Sequence, residues 1–122
     1  NINTHPVYFS FRVVRRIAEK VQYTDPISAK VKFLAAYAEI GDAYVELSDF
    51  DNAIYYFQKA SDYNPNEFFT PSYLLKLALV HERINDLKSA LNCYNKIIND
   101  FKGSPEYQTA VKNKSRIEGL LL

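Results

Sequence analysis

Apolar residues recur at intervals of three or four along most of the chain, and polar, proline or glycine clusters interrupt them, as expected of consecutive amphipathic helices. Val7, Phe11, Val14, Ala18 and Val21 make the first stripe. Thr4 and Pro6 suit its start and Tyr23, Thr24 and Asp25 its end. The spacing predicts a long second helix from Pro26 to Leu47 with the stripe Phe33, Tyr37, Ile40, Tyr44 and Leu47, and with Ala36 and Gly41 as smooth patches. Ser48 to Asp51 reads as a turn, with Asp49 or Asp51 as cap. A partner helix is expected over Asn52–Tyr63 through Ala53, Ile54, Phe57 and Ala60, stopped by Asn64, Pro65 and Asn66.

A second helix pair follows. Leu74, Leu77, Ala78, His81, Ala90, Tyr94 and Ile97 repeat the series Tyr37, Ile40, Gly41, Tyr44, Ala53, Phe57 and Ala60, displaced by 37 residues, and Asn85-Asp86-Leu87 repeats the turn. Ser104, Pro105 and Glu106 suit the cap, first position and first turn of a last helix. That helix is expected to bury Tyr107, Ala110, Val111, Ile117, Leu120 and Leu121, with Lys112, Asn113, Lys114, Ser115 and Arg116 making it the most polar of the set.

The first series, closed by Pro65, resembles the tetratricopeptide repeat, in which the same spacing carries an aromatic, Leu, Gly, Tyr, Ala, an aromatic, Ala and Pro. In the second copy Leu74 replaces an aromatic, Ala78 the glycine and His81 the tyrosine. The resemblance implies an all-α fold of antiparallel helix pairs in a right-handed superhelix, here of about six helices. One domain of 1–122 is expected, with 1–32 as leading helix and start of the first repeat's long helix, 33–66 and 67–104 as repeats and 105–122 as capping helix. Within the family, residues 40–60 and 70–98 resemble the C-terminal part of small envelope-anchored repeat proteins of Gram-negative bacteria. That likeness implies a periplasmic setting, and the repeat alone is equally at home in cytoplasm. With Asn1 in place of Met, the sequence reads as a fragment or a processed product.

Charge changes the picture modestly. The 122 residues carry a formal net charge of +1, too little for bulk attraction to nucleic acid. Residues 1–32 hold six basic against two acidic residues, while 33–101 hold five against ten. A single cysteine, Cys93, excludes an internal disulfide and offers no metal cluster. No apolar run approaches the roughly 18 residues a membrane span needs.

Candidate chemistry is sparse. His81-Glu82 lacks a second histidine four residues on, no glycine-rich phosphate loop occurs, and two isolated histidines suggest no catalytic triad. No enzyme activity, cofactor or metal is expected. His81 and Cys93 read as packing residues, and the Asn113-Lys114-Ser115 triplet lies mid-helix, where glycosylation has little meaning.

The resemblance implies that the first helix of each pair lines a concave face for an extended or helical peptide. The matching positions are Ala35, Ala38, Glu39, Asp42 and Glu46, then Ser72, Leu75, Lys76, Leu79, Glu82 and Arg83. Relatives that clamp a C-terminal carboxylate need Lys and Asn where Ala38 and Asp42 stand, so that ligand is disfavoured. The expected function is non-enzymatic protein–protein interaction, as scaffold or assembly factor, with an envelope chaperone-like accessory as an alternative. Self-association of copies stands equally with capture of a partner peptide. Arg12, Arg15, Arg16 and Lys20 supply a further alternative, contact with anionic lipid, nucleic acid or the acidic groove of a second copy. Nucleic acid and direct membrane contact are not favoured.

Overall fold

A computed structural model of the chain describes residues 26–122 apart from residue 64, with side chains described from residue 35 onward. Among the described residues there are five helices and no strand: α1 (Pro26–Glu46), α2 (Phe50–Asp62), α3 (Thr70–Arg83), α4 (Leu87–Asp100) and α5 (Tyr107–Leu120). The stripe from Val7 to Val21 lies outside the described residues. The described residues divide into two compact units, one up to residue 60 and the other from residue 61 onward.

In the first unit α1 and α2 are joined by three residues and meet along a seam of small side chains. Ile40, Tyr44, Ala53, Phe57 and Ala60 are buried to within 1% of full exclusion. Gly41 faces the ring of Phe57 so closely that a Cβ there would land on the ring. Tyr44 stacks on Tyr56 with centroids 5.6 Å apart, Tyr37 leans on the same ring at 6.2 Å, and Tyr55 meets it edge-on at 5.1 Å. These geometries are the ones aromatic quadrupoles favour. Tyr37 is therefore half-buried. Leu47 falls just past the helix and is exposed, as is Tyr63 beyond α2, because neither lies within a helix that could aim it at the seam. Pro65 is also exposed, so it follows the helix without packing into it.

In the second unit α3 packs on α4, and α4 on α5. Leu74, Leu77, Ala78, Ala90, Tyr94 and Ile97 are buried, and Ala110 and Ile117 join them from α5. The last helix departs from its expected extent. It begins at Tyr107, with Glu106 at its cap position making no side-chain capping bond. Ser104 is diverted, because its hydroxyl donates to Phe101 O at 2.8 Å and so turns back towards α4. Leu120 and Leu121 are exposed, since the terminal turn runs beyond any facing element among the described residues.

The turns inside the two helix pairs share one chemistry. Ser48 N–H donates to Val45 O and Asp49 N–H to Tyr44 O. Asn85 N–H donates to Glu82 O and Asp86 N–H to His81 O. This is the Schellman pattern, which needs a left-handed residue after the helix. Ser48 and Asn85 supply it with φ of 58° and 62°. The next residue then opens the partner helix: Asp49 Oδ1 accepts from Asn52 N–H at 3.3 Å, and Asp86 Oδ1 accepts from Ser89 N–H at 3.1 Å. Asp49, not Asp51, is thus the cap. Hydrogen bonds from Ser89 hold the Asp86 carboxyl below its ordinary pKa.

His81 occupies the place that Tyr44 fills in the first unit. Its side chain is 13% exposed, its Nδ1 has no hydrogen-bond partner, and Asp86 Oδ2 stands 3.8 Å away. Burial lowers its pKa, with a smaller opposing pull from Asp86. Cys93 is buried too, and burial pushes its thiol up to about 11, leaving it a small apolar side chain.

Three outcomes are expected. Gly41→Ala should cost about 1–3 kcal/mol in urea unfolding, the usual toll of overpacking, and Phe57→Leu in that background should recover part of it. Ser48→Gly should stabilise by about 1 kcal/mol by relieving a left-handed non-glycine residue. The third concerns pH. Because the folded state lowers the His81 pKa, the unfolded chain binds the extra proton below about pH 6.5, so stability should fall between pH 7.5 and pH 5.5. Thermal melts of His81→Tyr should show a smaller fall over that window.

Candidate protein-interaction site

Helix α3 carries all the predicted contact residues of the second repeat. Pro71 fits its first turn, where a missing N–H costs nothing. Tyr73, Leu74, Leu77, Ala78 and Val80 turn inward. The remaining positions place Ser72, Leu75 and Leu79 along one outer strip, with Lys76 and Arg83 beside it. Leu75 is half-buried, and Leu79, one turn further on, is 47% exposed. Ser72 and Lys76 are half-buried and Arg83 is exposed.

Glu82 does not belong to that open strip. Its Oε2 accepts the Tyr94 hydroxyl at 2.5 Å. Arg116 Nη2 donates to both carboxylate oxygens, at 2.6 and 2.9 Å, from α5. Asn113 Nδ2 donates to the Tyr94 hydroxyl at 3.2 Å. Burial, then the bond to Glu82, raises the Tyr94 phenol well above its ordinary pKa. The carboxylate is consumed in tying α3, α4 and α5 together, so it offers nothing to a partner. Sequence reasoning missed this tie, although Arg116 follows Glu82 by 34 residues, the usual length of such a repeat and three short of the 37 that separate the two copies here. Opposite charges one period apart on equivalent helices are the signal that would have found it.

In the first unit, Ala35, Glu39, Asp42 and Glu46 are exposed on α1. Ala38 is 7% exposed, so it supplies packing and not open surface. The basic set Arg12, Arg15, Arg16 and Lys20 lies outside the described residues. Among the described residues, no group of three or more His, Cys, Asp or Glu side chains is placed to hold a metal ion. No described helix is long and apolar enough to cross a membrane.

Two family models match the chain, each described as a tetratricopeptide repeat, one over residues 34–67 and the other over residues 72–104. They coincide with α1–α2 and α3–α4. No curated protein and no solved structure matches. With two tandem repeats over more than half its length, the chain belongs to the tetratricopeptide repeat family, whose members are generally protein–protein interaction modules and typically not enzymes.

Proposed function

We propose that the chain is a partner-binding scaffold or assembly factor, and that Leu75 and Leu79 of α3 anchor the partner in the second repeat. The observation that carries this reading is Leu79. A leucine nearly half open to water, one turn from a half-buried leucine, lies on a helix whose other apolar residues are buried. Water gains nothing from that arrangement, whereas an apolar side chain of a partner does. Full burial of one such leucine contributes about 1.5–3 kcal/mol. Ser72 borders the pair and can meet a backbone group of the same partner. A helix or an extended peptide with an apolar anchor satisfies these requirements.

The test is a photo-crosslinking residue at position 79 of the full chain, expressed in its native cell. One discrete partner should be captured, and Leu79→Glu should weaken the purified complex about 10- to 100-fold, the equivalent of one lost apolar anchor. Circular dichroism of the variant should match the parent, because Leu79 contributes little to the core. An unchanged affinity in Leu79→Glu removes α3 from the interface. If the crosslinked species is a second copy, and sedimentation shows concentration-dependent dimers, the partner is the chain itself.

A further inference from the structure

The second unit contains a feature that the α3 strip does not use. The loop entering α3 and the loop leaving α4 wall a cavity of about 530 Å³, lined by Glu67, Phe68, Asp100, Phe101, Lys102 and Glu106 among others. That volume falls in the range of sites that take a small ligand or a few peptide side chains. Phe68 stands at 85% exposure, an extreme value for a phenyl ring. Its turn is held by hydrogen bonds: Asn66 Oδ1 accepts from Phe68 N–H at 2.9 Å and from Phe69 N–H at 2.8 Å, and Asn66 N–H donates to Thr70 Oγ1 at 2.8 Å. The ring is therefore presented by a built turn.

Charge selects the occupant. Three acidic residues and one lysine are among those that line the cavity. Helix α4 ends there while α3 and α5 begin beside it, so the helix poles oppose one another and the lining side chains set the sign. An anionic ligand is repelled. A guanidinium fits: it is planar, it stacks on phenyl faces, it hydrogen-bonds carboxylates as a fork, and its methylene stem covers apolar wall. An ammonium meets the charge but stacks less well.

We propose that this cavity is a second peptide-binding site, which takes an arginine side chain and an adjoining apolar residue of a partner chain. The guanidinium lies against Phe68 and is met by Glu67, Asp100 and Glu106. The site is distinct from the Leu75–Leu79 strip, and a partner that engages both gains the avidity of two linked contacts.

The test is a nitrogen-15 NMR titration of the full chain with three hexapeptides of one design, carrying two arginines, two lysines or two glutamates between leucines. The arginine peptide should shift the amide signals of Glu67, Phe68 and residues 101–106, and bind more tightly than the lysine peptide. The glutamate peptide should leave them in place. Added salt should weaken the arginine peptide, since the carboxylates are partly open to solvent. Phe68→Ala should weaken it about two- to fivefold, the loss of one exposed cation–π contact, at an unchanged unfolding midpoint. Leu79→Glu should leave this affinity as it is, which separates the result from the fate of the α3 strip. Equal binding of the glutamate peptide, shifts confined to α3, an unaltered affinity in Phe68→Ala, or no binding at millimolar peptide would each overturn the proposal.

Discussion

The approach of Gly41 to the ring of Phe57 sets how close α1 and α2 lie, and the rest of the first unit follows from that distance. At such a separation only alanine fits at the other crossing points, and Ala53 and Ala60 are buried completely or nearly so. The rings of Tyr44 and Tyr56 then fill what the small residues leave open. The second unit meets the same constraint with Ala78 and Ala90 at full burial, filled by Leu77, Tyr94 and Ile97. Close helices joined by three residues also dictate the turn. The chain must reverse within one left-handed residue, so Ser48 and Asn85 take positive φ and the following aspartates restart the helix. Backbone strain at Ser48 is a consequence of the seam.

This division of labour explains what could be read from the sequence. The helix pairs were legible because the seam admits only a narrow choice at each crossing, and a series of small and large residues repeated at 37 residues has few other physical causes. Helix ends were less legible. Ser104, Pro105 and Glu106 form an acceptable helix start by local propensity, yet Ser104 bonds back to Phe101 and α5 opens at Tyr107. Local chemistry offered two acceptable partners, and the tertiary position of the loop chose between them. Leu120 and Leu121 fit the apolar stripe of α5, but periodicity shows which side of a helix a residue occupies and not whether anything faces it.

The candidate site was legible only in part, for a related reason. Leu75 and Leu79 can be placed on the outer strip of α3 from spacing alone. The fate of Glu82 is hinted at only by the opposite charge of Arg116 34 residues on, because it also depends on Tyr94 and Asn113, which the spacing within α3 does not bring in. The cavity beneath Phe68 was invisible for the same cause. Its two walls belong to loops more than 30 residues apart, and neither loop carries a motif.

The tie at Glu82 also bears on how the second unit ends. In a stack of repeats, each helix pair is held by the contacts it makes with its neighbours along the chain. Here α5 meets α3 and α4 by placing Arg116 on Glu82 and Asn113 against the Tyr94 hydroxyl. The acid that would otherwise sit near Leu79 is thereby neutralised. An exposed leucine beside a free carboxylate would repel an apolar partner that had to strip water from that charge. Beside a carboxylate already bonded three ways, it costs the partner much less. The tie at Glu82 and the open leucine are thus parts of one arrangement, since satisfying that carboxylate leaves the neighbouring strip apolar enough to be covered.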